Sequence, residues 1–134
     1  MYTDLAMYID GQWTHGSATE RFTVLNPATG EAIGQLPLAT AADLDLALAA
    51  ADRGFRVWSV MSAYERSKVL RKAAELVRLR VEIMARCMTL DQGKPLAEAT
   101  MESSSAADHI EWYAEEGRRA YGRVVPARNP AVRQ

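Results

Sequence analysis

A single cysteine, Cys87, in 134 residues excludes an internal disulfide framework and any multi-cysteine zinc site. Two histidines, His15 and His109, leave little room for metal chemistry. Charge of one sign is not in excess. Sixteen Lys and Arg stand against seventeen Asp and Glu, for a net charge of −1. That excludes the basic surplus of a nucleic-acid or anionic-membrane binder. No apolar run approaches the roughly 18 residues that would span a bilayer. The start, Met1-Tyr2-Thr3-Asp4, has neither a basic flank nor a long apolar stretch, so the reading predicts no signal peptide, no membrane partner and a cytoplasmic location. What is present is ordinary globular composition: 49% apolar, 25% charged, and ten aromatics expected to anchor a core. The length suits one domain.

Residues 1–38 read as strands and turns. Tyr8-Ile9, Asp10-Gly11 and Gln12-Trp13 make a hairpin signal. Phe22–Leu25 is a further strand, stopped by Asn26-Pro27-Ala28-Thr29-Gly30, and Ala32–Leu36 returns as another. Residues 39–122 read as three amphipathic helices. Thr40-Ala41-Ala42-Asp43 resembles a capping box. Leu44, Leu48, Ala51, Phe55 and Trp58 follow at three- and four-residue spacing, with Gly54 weakening the end. Ser62-Ala63-Tyr64-Glu65 opens a second helix carrying Val69, Ala73, Leu76, Val77, Ile83, Met84, Cys87 and Met88 as far as Gly93-Lys94-Pro95. At ~1.5 Å per residue that helix runs roughly 40 Å. A third begins at Pro95, carries Leu96, Ala99, Met101, Ala106, Ile110, Tyr113 and Ala114, and fades at Gly122. Residues 123–134 read as an extended tail. The three apolar stripes could cover one another, whereas so few short strands leave unpaired edges. The pattern is that of the beginning of a larger α/β protein.

Chemistry-bearing residues are few. Cys87 lies on an apolar stripe, away from the electropositive, partly exposed setting that makes a thiolate. It reads as a buried packing residue. Asp108-His109 could orient a base, but no serine or cysteine stands in a defined relation to it. His15 reads as surface. Gly11 to Gly16 lacks the Lys-Ser/Thr of a phosphate loop. Ser103-Ser104-Ser105 lack the glycines of a nucleophile elbow. Glu111, Glu115 and Glu116 near Arg118 and Arg119 read as a solvated ion-pair face. No complete active site is present.

Four phrases change the picture together: Tyr8-Ile9-Asp10-Gly11-Gln12-Trp13; Asn26-Pro27-Ala28-Thr29-Gly30-Glu31; Thr89-Leu90-Asp91-Gln92-Gly93-Lys94-Pro95-Leu96-Ala97-Glu98-Ala99; and Ile110-Glu111-Trp112-Tyr113-Ala114-Glu115-Glu116-Gly117 with Tyr121-Gly122. In this order and spacing the chain resembles the N-terminal quarter of an NAD(P)-dependent aldehyde dehydrogenase, closest to the succinate-semialdehyde dehydrogenase branch. The likeness runs from about Met7 to Pro126.

The resemblance implies an α/β fold: short hairpin strands, three helices and a tail, all one incomplete domain divided as 1–38, 39–122 and 123–134. It implies an oxidoreductase that attacks its aldehyde with a cysteine thiolate and uses NAD or NADP. The matching cysteine, glutamate and cofactor strands lie downstream of this chain, so no catalytic or cofactor-binding residue is expected here. No bound cofactor is expected on the chain alone. Cys87 does not match the nucleophile. Met101, Ser105 and Asp108 would face the substrate tunnel. Asp91, with the backbone near Val24, falls where some relatives hold a structural cation. The tail would start the arm that pairs subunits of a homo-oligomer. The partner implied is the rest of the dehydrogenase chain, with the isolated piece inactive. Two other readings stand: a non-enzymatic helical self-association module, and a small thiol enzyme using Cys87.

Overall fold

A computed structural model describes residues 5–123, 125, 127–129 and 131–132. Two hairpins come first. β1 (Met7–Ile9) pairs antiparallel with β2 (Gln12–Thr14), with Tyr8 opposite Trp13. Asp10 and Gly11 both take positive φ, 52° and 77°. These are the dihedral signs of a turn whose twist matches its strands, and Asp-Gly supplies them cheaply. β3 (Arg21–Leu25) pairs with β4 (Ala32–Pro37), with an irregularity between Val24 and Leu25. The Asn26 side chain accepts from the Ala28 N–H at 2.9 Å, and Gly30 donates to the Asn26 carbonyl at 2.8 Å. This is the turn that Asn-Pro followed by glycine encodes.

Among the described residues four helices follow where the periodicity predicts three: α1 (Ala41–Val60), α2 (Ala63–Arg78), α3 (Val81–Gln92) and α4 (Leu96–Glu116). The long second helix is divided at Leu79 and Arg80. There the backbone closes with a three-residue hydrogen bond from Arg80 to Val77 at 2.9 Å. Arg78-Leu79-Arg80-Val81 holds no Pro or Gly, so nothing local announces the break. Its reason is tertiary: α2 and α3 both pack on α4. A straight helix over the same residues would run about 45 Å at 1.5 Å per residue and overshoot α4 at about 32 Å. α4 also ends earlier than the apolar pattern suggests, at Glu116, with Gly117 as its C-cap. The tail reading falls partly on Val124, Pro126, Pro130, Arg133 and Gln134, which lie outside the described residues.

Thr40 and Gly93 cap their helices as the sequence says, whereas the capping box expected at Ser62-Ala63-Tyr64-Glu65 closes on the Ser62 side only. Thr40 and Asp43 form a full capping box. Ser62 accepts from the Glu65 N–H at 3.2 Å, while the Glu65 carboxylate turns to Lys68 at 2.8 Å. Gly93 ends α3 with φ 71°, and a Cβ there would lie 3.0 Å from Pro27 Cγ. Gly93→Ala is therefore expected to destabilise the chain by more than about 1 kcal/mol, from left-handed strain plus the Pro27 contact. A thermal melt unchanged by the substitution would contradict that reading.

The core is made of small residues. Ala74, Ala85, Ala99, Ala107 and Ala114 are buried, as are Ser67 and Ser103. The aromatics do not anchor it: Trp13, Phe22, Phe55, Trp112 and Tyr113 are each at least 60% exposed. Nor do the three stripes cover one another. Helices α2, α3 and α4 meet, but α1 rests on β1 and leaves Leu44, Leu48 and Phe55 exposed. Small residues allow close helix approach, and large apolar ones are left for surfaces this chain does not itself supply.

Candidate functional site

α4 has two opposite faces. Ala99, Ser103, Ala107 and Ala114 form a buried ridge toward α2 and α3. Met101, Ser105, Asp108 and Trp112 recur at four, three and four residues, within an arc of about 60° at 3.6 residues per turn. All four are exposed. The three tunnel residues expected from the sequence thus share one face, turned away from the helical packing.

Their chemistry is modest. Arg78 on α2 reaches over to α4, its guanidinium donating to Asp108 at 2.8 Å and Glu111 at 2.6 Å. These two carboxylates raise the arginine above its ordinary value. One turn further on, Arg71 donates to Glu115 and holds that carboxyl below the usual range. Arg118 sits 4.4 Å over the Tyr64 ring. Such exposed pairs add little stability. The clasp of Arg78 on Asp108 is what the sequence reading misses. Only the return of α4 beside α2 brings Arg78 to Asp108, 30 residues away in sequence.

Ser105 Oγ lies 3.5 Å from His109 Nδ1, a serine–histidine approach the sequence reading does not anticipate. It is a helical i,i+4 neighbour pair. The adjacent Asp108 turns to Arg78 rather than to the ring, and mid-helix N–H groups are consumed by the helix, so no oxyanion donors point at the hydroxyl. His15 is exposed beyond β2, as expected. Cys87 is half-buried rather than fully buried, and lines a surface cavity with Ile83, Leu90 and Leu96.

Asp91 is exposed near the end of α3, two residues before Gly93, which abuts Pro27 in the turn after β3. The fold thus brings the Asp91 region toward the end of the Val24 strand. A hard cation takes six or more oxygens. Among the described residues, no group of three or more His, Cys, Asp or Glu side chains could hold a metal ion. The residues present do not fit a nicotinamide dinucleotide either. Both sheets among the described residues are antiparallel hairpins. Among the described residues the one strand-to-helix passage, β4 to α1, has its helix N-terminus filled by the Asp43 carboxylate, which would repel a pyrophosphate. No helix is long and apolar enough to cross a membrane among the described residues.

Comparison with known proteins gives the same context. The profile of the aldehyde dehydrogenase family matches residues 13–134. The chain is 47% identical over 133 residues to 4-(hydroxymethyl)benzenesulfonate dehydrogenase TsaD1 of Comamonas testosteroni, covering 99% of this chain and 28% of that protein. It is 43% identical over 118 residues to the NADP(+) succinate-semialdehyde dehydrogenase GabD of Escherichia coli K12, covering 88% of this chain and 24% of that protein. It superposes on the crystal structure of succinate-semialdehyde dehydrogenase from Burkholderia pseudomallei with a TM-score of 0.90 at 39% identity, over 98% of this chain and 27% of that one. The chain therefore spans about a quarter of the length of the relatives it matches.

Proposed function

Since the chain belongs to the aldehyde dehydrogenase family, we propose that it serves as the N-terminal quarter of an enzyme that oxidises succinate semialdehyde to the acid with NAD or NADP. Its partner in that role is the remainder of the dehydrogenase fold, in a homo-oligomeric enzyme. One observation carries the reading: the family match runs through 13–134, with hairpins and helices superposing on a solved dehydrogenase. The substrate class is supported by the relatives, whose named substrates carry an acid group, a sulfonate in one and a carboxylate in the other. In this reading Met101, Ser105 and Asp108 face the substrate tunnel, Asp91 lies by a structural cation, and residues 123–134 begin the subunit-pairing arm. The 134-residue chain supplies scaffold and tunnel wall, and by itself is inactive.

The test is a pair of assays. The chain alone, given succinate semialdehyde and either NAD or NADP, is expected to produce no reduced nicotinamide. Joined to the remaining three quarters of the Escherichia coli relative at the equivalent position, it is expected to give a folded chimera with aldehyde-dependent turnover. Turnover by the chain alone would refute the scaffold role, and a folded but inert chimera would refute the role in succinate-semialdehyde oxidation.

A further inference from the structure

We propose that Arg78 is a positioning residue for substrate selection: it neutralises Asp108 on the exposed face of α4, so that an aldehyde carrying its own carboxylate can pass along that face. The inference rests on the reading above, in which Asp108 faces the substrate tunnel of an enzyme acting on succinate semialdehyde.

The difficulty it resolves is one of charge. Asp108, Glu111, Glu115 and Glu116 place four carboxylates on the last turns of α4. An anionic substrate is repelled by any of them left unpaired, the more so where protein replaces water. Four arginines meet these groups. Arg71 and Arg118 hold Glu115, Arg119 holds Glu116, and Arg78 holds the remaining two. At 100° per residue Asp108 lies about 20° from Met101 around the helix, whereas Glu111 lies about 80° away, between that face and the buried ridge. Arg78 reaches in over this flank. A single nitrogen, Nη2, donates to Glu111 Oε2 at 2.6 Å and to Asp108 Oδ1 at 2.8 Å. The Asp108 side chain stays 73% exposed, so its charge is open to whatever moves along the face. Without Arg78 the set of eight charges loses its balance, and the excess is negative.

The test uses the chimera with two substrates: succinate semialdehyde, and butanal, which has the same number of carbons and no charge. Arg78→Gln is expected to raise the ratio of their KM values, anionic over uncharged, about fivefold at low salt and less at high salt. Adding Asp108→Asn to Arg78→Gln is expected to bring the ratio back, because the carboxylate that Arg78 neutralised is then gone. A merely structural role for Arg78 would move both substrates alike. Equal changes for the two, an unchanged ratio, or a double variant as selective against the anion as Arg78→Gln would each overturn the proposal and leave the dehydrogenase reading standing. A chimera that oxidises butanal but not succinate semialdehyde would overturn the substrate reading, and this inference with it.

Discussion

Ala107→Leu is expected to destabilise the helical part by about 3 kcal/mol, at the top of the range for overpacking. Ala107 is 0% exposed. It sits on the ridge that Ala99, Ser103 and Ala114 continue, and α4 there carries both α2 and α3. Three added carbons have no void to enter and no exposed side to turn toward, so the helices must separate. Separation would also loosen the clasps of Arg71 on Glu115 and Arg78 on Asp108. Met101→Leu on the opposite face, 65% exposed, is expected to change stability by no more than about 0.5 kcal/mol. Urea unfolding of the two variants decides it, and equal midpoints would mean that α4 is not held by its small-residue ridge.

The second large effect belongs to Asp43. Its carboxylate, 6% exposed, accepts from the Thr40 N–H and Oγ1, both at 2.8 Å, and from the Ser17 N–H and Oγ at 3.2 and 3.1 Å. These bonds, those from Thr40 foremost, lower its pKa from 3.8 to about 2. Ser17 lies between the two hairpins and Thr40 caps α1, so a single carboxylate ties the strand segment to the helix. The folded form therefore gains stability from the ionised group above the ordinary carboxyl range. That gain is lost as pH falls from about 4 toward 2, where the folded carboxyl itself takes up a proton. Asp43→Asn is expected to lower the melting temperature at neutral pH and to flatten the melting curve's dependence on pH across that window. Thr40→Ala, which removes one cap donor–acceptor and leaves the charge, is expected to cost about 1 kcal/mol and to leave more of the acid slope intact. If Asp43→Asn kept the full acid slope, another carboxylate would have to be responsible.

Much of the local structure could be read before any coordinates. Asp10-Gly11 encodes a tight hairpin because both residues tolerate positive φ. Asn26-Pro27 with Gly30 encodes the second turn, Thr40 with Asp43 the start of α1, and Gly93 the end of α3. The four phrases that point to the aldehyde dehydrogenase family are also a matter of sequence, because they are runs of residue types in fixed order. So is the placement of Met101, Ser105 and Asp108 on one face of α4, which needs only the helical period.

Three things were decided by tertiary structure alone. The break at Leu79–Arg80 has no Pro or Gly to mark it, and it exists because α2 and α3 must both reach α4. The core consists of alanines and serines rather than the aromatics, because helix approach is limited by backbone distance, which only small side chains permit. The Arg78 clasp on Asp108 joins residues 30 apart in sequence, a pairing that no periodicity specifies. Composition and spacing determine which residues share a face. What that face meets depends on how the helices are returned against one another, and for Leu44, Leu48 and Phe55 it depends on a surface beyond this fold.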